Sequence, residues 1–415
     1  MRNIFAVCLV GVCIICCGSA HSADNEAMQK GIALIQEKRY DEAIAELGKA
    51  IEKDPRDAAA YYNRARAFTR KGDYDRAILD TDKAIEIDPK RAEAYVVRGY
   101  AFSKKSELGK AIADYAKAIE LDPGLAKAYN FRGLAYRETG NPDLAISDFD
   151  EVLIRDPKFE GIDKVYYNRG NAYYDKGALD EAIDSYTKAI EVTPNSSQIY
   201  ARRGFAYSRK GFFDQAIADY DKVIEIVPTY AIAYANRGLA YSRKGEYERA
   251  IADCHKAVEL SPNSTEVYYV RGWVYAKNDR LNQAISDCTK ILKLNAEDSD
   301  AYALRGWIYG RMGILDQAVS DCNRSLMLNP RNAEAYLGRG VAYFNKKLVD
   351  QAIADYDKAI AIDPYLADAY MSRAVAYFSK KDYDKAWMDV YKAESFGAKT
   401  DPQFLKDLKK ESGRK

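Results

Sequence analysis

A single 34-residue pattern returns eleven times between Asp24 and Thr400, so this chain must fold as one small unit copied end to end. The copies occupy 24–57, 58–91, 92–125, 126–159, 163–196, 197–230, 231–264, 265–298, 299–332, 333–366 and 367–400. The stretch Asp163–Ser196 shows the pattern plainly, with Tyr166 at position 4, Gly170 at 8, Tyr173 at 11, Ala182 at 20, Ala189 at 27 and Pro194 at 32. Position 20 is Ala in all eleven copies, position 4 is Tyr in all but the first, and position 8 is Gly except at Ala65 and Ala374. Large apolar groups alternating with very small ones at these intervals describe two helices whose backbones approach closely. A Gly commonly follows the first helix at position 15, and Asp-Pro ends the second, as at Asp88-Pro89. The spacing predicts helix A over about positions 2–14 and helix B over about 18–30.

The pattern resembles the tetratricopeptide repeat, a helix–turn–helix unit of this length. The resemblance implies an all-α, right-handed α-solenoid whose concave face is lined by the A helices and binds segments of other proteins. It covers nearly the whole chain after Asp24. The first copy departs from it at Ala27 and Leu34, as expected of a terminal unit. Pro157 and Pro194 stand 37 residues apart, which places three extra residues around Phe159–Ile162. These read as a lengthened surface turn or, alternatively, as a bend or a boundary between two blocks. Residues 401–415 are expected to form a capping helix that presents Phe404, Leu405 and Leu408 on one face, with the last three residues frayed.

Residues 1–23 differ in kind. Arg2 opens the segment, Ile4–Cys17 is almost unbroken apolar sequence, and small-residue cleavage candidates follow at Gly18–Ala20 and Ala20–Ser22. The run is too short to span a bilayer comfortably, so a cleaved export signal is the preferred reading and a retained anchor the alternative. Four of the seven Cys lie there, but none follows the small residue that lipoprotein processing needs. The expected location is therefore periplasmic or extracellular, with membrane association only if the segment is kept or lipidated. Lys+Arg and Asp+Glu number 63 and 62, a balance without the basic footprint of general nucleic-acid binding.

A coupled substitution marks one structural feature. Position 7 is Arg and position 23 Asp in the pairs Arg64/Asp80, Arg98/Asp114, Arg132/Asp148, Arg203/Asp219, Arg237/Asp253, Arg271/Asp287, Arg305/Asp321, Arg339/Asp355 and Arg373/Asp389. The first copy changes both partners at once, to Lys30/Glu46. An ion pair between the A and B helices is expected, fixing register more than adding net stability. Nothing in the chain reads as an enzyme. After residue 23 the one His, His255, stands beside Cys254 on a B helix, and no metal, nucleophile or phosphate-loop motif is present. No cofactor or metal is expected. Cys254, Cys288 and Cys322 share position 24 of consecutive copies, a spacing too wide for disulfides, and are expected to be buried thiols.

The family resemblance places positions 2, 5, 6, 9, 12 and 13 in the groove. Copies six to nine carry Arg209, Arg243, Lys277 and Arg311 at position 13, and Phe205, Leu239, Trp273 and Trp307 at position 9. Phe344 and Phe378 follow at position 12, and Asn168 and Asn171 offer hydrogen bonds earlier in the chain. Cations beside aromatic groups favour capture of an acidic, apolar, extended segment of a partner protein. The alternatives are that the Trp pair fills the gap between A helices, or that the aromatic groups stack on a glycan. No residue at position 5 is Lys, which argues against the carboxylate clamp of chaperone-binding relatives.

Overall fold

The computed structural model describes the chain from Ile15 to Arg414, with side chains from Glu26 onward. The first fourteen residues of the expected export signal lie outside the described residues, and its last nine begin the helix Ile15–Gln36. Among the described residues there are 23 helices: eleven A–B pairs and one terminal helix. Helix A of repeat seven runs Ala231–Lys244 and helix B Tyr247–Leu260, within a residue or so of the spacing expected from sequence. The described residues divide into two compact units, the first ending at Ile199 and the second beginning at Tyr200, within the Ser197–Lys210 helix. Each unit is a stack of such pairs. The longer turn at 159–162 lies inside the first unit, where Phe159 packs on the core around Phe149 and Val165, and Gly161 takes a left-handed φ of 83°.

The small residues sit where two backbones meet. Ala at position 20 is 0% exposed in all eleven repeats. Position 8 faces the side chain at position 24 across the pair, and this explains its Gly. A Cβ on Gly170 would lie 2.6 Å from the Tyr186 ring, and one on Gly340 2.6 Å from the Tyr356 ring. The two repeats with Ala at position 8, Ala65 and Ala374, have the smaller Thr81 and Val390 at position 24. Cys254, Cys288 and Cys322 fill this position in three neighbouring repeats and are free and buried, their thiols pushed up to about 12 by burial.

Position 15 ends helix A with a positive φ in every repeat. Six repeats have Gly there, and the other five hold Lys38, Ser106, Asp279, Lys347 and Lys381 at φ between 56° and 66°. The second turn relies on position 31 as much as on Pro. Asp88 Oδ1 accepts from Lys90 N at 3.2 Å, and Asn295 Oδ1 from Glu297 N at 3.1 Å, so the turn persists where Ala296 replaces Pro.

The terminal helix Pro402–Ser412 closes the second unit. Leu408 is fully buried against Trp387 and Val390, with Phe404 and Leu405 beside it. Arg414, expected to fray, instead reaches Asp384 at 2.7 Å, and Lys415 lies outside the described residues. No helix among the described residues is long and apolar enough to cross a membrane.

Candidate functional site

The Arg at position 7 organises ten of the eleven repeats. Arg132 donates from Nε and Nη2 to both oxygens of Asp148 at 2.9 and 2.8 Å. The same two-pronged pair joins Arg64 to Asp80, Arg98 to Asp114, Arg203 to Asp219, Arg237 to Asp253, Arg271 to Asp287, Arg305 to Asp321, Arg339 to Asp355 and Arg373 to Asp389. Lys30 meets Glu46 at 2.9 Å in the first repeat. In repeat five Ser185 replaces the Asp, and Arg169 turns instead to Asp150 of the preceding repeat at 2.7 Å.

That second reach recurs and was not anticipated. Arg98, Arg237 and Arg373 also hold Asp82, Asp221 and Asp357, each at position 25 of the repeat before. The guanidinium therefore ties its own A and B helices together and clasps the neighbouring B helix. It also lies over the Tyr at position 4, at 5.7 Å for Tyr129 and 5.5 Å for Tyr234, which gives that recurrent ring an electrostatic role. Burial dominates the electrostatics of Asp148 and Asp219, whose carboxyls are held above the usual range despite the Arg beside each.

Position 13 of the A helices behaves differently. The Arg243 guanidinium lies 4.4 Å from the Trp273 ring and the Lys277 ammonium 4.7 Å from it. Lys277 is also 5.5 Å from Trp307, and Arg311 is 5.2 Å from that ring. Arg243 and Lys277 have no ion-pair partner among the described residues. Lys277, though exposed, is held below its ordinary pKa by partial desolvation among the surrounding helices, then by the charge of Arg243. Arg311 is partly engaged, donating to the Ala276 carbonyl at 2.5 Å and to Asp279 at 3.2 Å. Arg209 and Phe205 are both exposed, whereas Leu239 is half-buried.

Several residues expected in the groove are committed elsewhere. Asn171 is buried, and its Oδ1 accepts from Tyr186 Oη at 2.9 Å, so it supports the helix pair and is withdrawn from the groove. Phe378 packs 5.5 Å from Phe404 of the terminal helix, and Phe344 sits against the core around Tyr356. The two Trp are half-buried against the core of repeats seven to nine, with Trp307 beside Gly338 of the next A helix. They fill the gap between A helices and carry the cations as well. Asn168 is half-buried.

Sequence reading missed an acidic row on the same helices. Glu266, Asp300, Glu334 and Asp368 occupy position 2 of repeats eight to eleven. Position 13 is eleven residues further along each helix, so the two rows stand roughly 16 Å apart. Glu334, though exposed, is held above the usual carboxylate range by partial desolvation among the surrounding helices, then by the charges of Asp300 and Asp368. Listing position 2 across all repeats would have found it.

Stacked helix pairs with charged, aromatic A faces define a helical repeat scaffold of the α-solenoid class. The chain belongs to the tetratricopeptide repeat family: family models match at 28–92, 99–140, 126–159, 170–211, 209–245, 231–264, 265–298, 299–332 and 333–366. Among solved structures, yeast Tom70 aligns over 95% of this chain and 96% of its own, with a TM-score of 0.53 and 15% identity. The Cut9–Hcn1 hetero-tetramer of the APC/C aligns over 93% and 96%, with a TM-score of 0.50 and 14% identity. These likenesses show the fold. MamA is 28% identical over 42% of this chain and 94% of its own, with a TM-score of 0.39. No curated protein sequence matches the chain. The solenoid is the architecture of a protein–protein interaction scaffold.

Proposed function

We propose that the protein is a non-enzymatic scaffold of the cell envelope, exported by its N-terminal segment, that holds an extended segment of a partner protein on the A-helix face of repeats seven to nine. The observation that carries this is the pair of cations around Trp273: Arg243 and Lys277 touch the indole, yet neither forms an ion pair among the described residues. An acidic, apolar segment supplies the missing charges and covers the aromatic surface. The acidic row at position 2 refines that partner. Its carboxylates lie on the other side of the same face, so a segment with a basic residue flanking its acidic stretch fits in one orientation.

The alternative is a glycan-binding accessory protein. Stacking on a sugar needs an open ring face, and Trp273 has cations packed around it, which favours the protein reading. The test is affinity capture from native envelope extract with residues 24–415, beside an Arg243→Glu/Lys277→Glu variant. These side chains are exposed and unpaired, so the variant should keep its helical circular dichroism, whereas removing the half-buried Trp risks the fold. Loss of a captured protein in the variant, and at least about tenfold weaker binding of that protein, is the expected result. Binding should also weaken as salt rises. Equal capture by both baits, or salt-insensitive binding of glycan alone, would overturn the proposal.

A further inference from the structure

The first unit contains a separate site. A cavity of about 470 Å³ opens among repeats two to four, and Arg66, Arg70, Val97, Tyr100, Lys127 and Phe131 are among the residues that line it. No Asp or Glu belongs to its lining. Of its four cationic residues, Lys71 is held by Asp41. Arg66 donates to Asn63 Oδ1 at 2.9 Å and lies 5.6 Å from the Tyr62 ring. Arg70 and Lys127 have no ion-pair partner among the described residues.

Three cations from two repeats thus line one space with no carboxylate in its wall. Lys127 registers the consequence. Its ammonium, though exposed, is held below its ordinary pKa by partial desolvation among the surrounding helices, then by the charges of Arg70 and Arg66, with Glu160 on the inserted turn acting in the opposite sense. Like charges held together by rigid helices cost free energy unless an anion sits among them. Guanidinium groups present forked donors that match the paired oxygens of carboxylate and phosphate. Val97, Tyr100 and Phe131 supply apolar wall beside the charges.

We infer that this cavity binds a compact oxyanion of two negative charges, a phosphate monoester or a dicarboxylate, carried on an apolar body. Three cations select a dianion over a monoanion, and the aromatic wall holds the body to which the anion is attached. The site lies wholly within the first unit and does not depend on the partner proposed for repeats seven to nine.

The test is calorimetric titration of the protein with phenyl phosphate, phthalate, benzoate and benzyl alcohol at fixed ionic strength. Saturable binding of phenyl phosphate or phthalate, at least about tenfold tighter than benzoate, is expected, and the better of the two names the oxyanion. Arg70→Ala/Lys127→Ala removes two exposed, unpaired side chains and should abolish that binding while leaving the circular dichroism intact. A second readout is the Lys127 amine, followed by NMR after reductive methylation and assigned by its absence in Lys127→Arg. The bound dianion should raise its pKa. The inference is overturned if no dianion binds saturably, if benzoate binds as well, or if the folded double variant retains the affinity.

Discussion

At the residue scale, the end of helix A poses the same demand in every repeat: a left-handed residue at position 15. Gly meets it without strain because it lacks a Cβ, whereas an L-residue there costs roughly 1–2 kcal/mol, part of which Gly returns as extra entropy in the unfolded chain. Lys347 occupies this position at φ 66° and is exposed, while Gly245 adopts φ 82° at the equivalent place in repeat seven. Lys347→Gly should therefore stabilise repeat ten by about 1 kcal/mol. Urea unfolding followed by hydrogen exchange in the helices Ala333–Asn345 and Val349–Ile362 would read it. Slower exchange is expected there, and faster exchange would mean that Lys347 has a stabilising role its backbone angle conceals. The Gly at positions 8 and 15 are alike in sequence but answer different needs. One yields space to a side chain and the other yields a backbone angle.

At the element scale, the A–B pair was largely legible, because repetition turns each weak signal into eleven concordant ones. The helix bounds, the invariant Ala at position 20 and the Arg–Asp coupling all followed from spacing. What escaped were relations between repeats, such as Arg98 reaching back to Asp82, since position 25 varies among Gly, Asp, Ala, Thr, His, Asn and Tyr and shows no pattern along the chain. The groove was legible as positions but not as side-chain commitments: Asn171 turned to Tyr186, and Phe378 to the terminal helix. Arg132–Asp148 isolates the helix pairing, because Ala116 stands where other repeats place a second carboxylate. Arg132→Met or Asp148→Leu alone should cost about 3–5 kcal/mol by leaving a buried charge unpaired, and the two together much less. A denaturation double-mutant cycle should return a coupling of at least about 2 kcal/mol. Additive losses would show that the helices hold their register by packing alone. The sign of the pH effect is also set. Burial raises the folded pKa of Asp148, so its contribution to stability is full below the ordinary carboxylate range and declines as pH rises through the folded value.

At the scale of the whole molecule, a solenoid has no single core, and each repeat is stabilised by itself and its neighbours. The end of such a stack is its weakest point unless something covers it. Here the terminal helix Pro402–Ser412 covers Trp387 and Val390 with Leu408, while Trp387 Nε1 donates to Ser412 Oγ at 3.0 Å. Removing residues 401–415 uncovers that surface. Burial of one large side chain is worth about 1.5–3 kcal/mol, so losing Leu408 with parts of Phe404 and Leu405 should cost the last repeat roughly 3 kcal/mol. That corresponds to exchange about a hundredfold faster in the Tyr383–Ser395 helix. Because energy passes only between neighbours, the effect should fade through the preceding repeats and leave the helices of the first unit unchanged. A uniform acceleration along the chain would contradict this: it would mean that the protein unfolds as one cooperative body, and that ligands at either site stabilise the whole. Local acceleration instead means that a partner bound at repeats seven to nine and an anion bound at repeats two to four each protect their own surroundings. Their placement in different repeats would then let one chain hold two ligands without coupling their affinities.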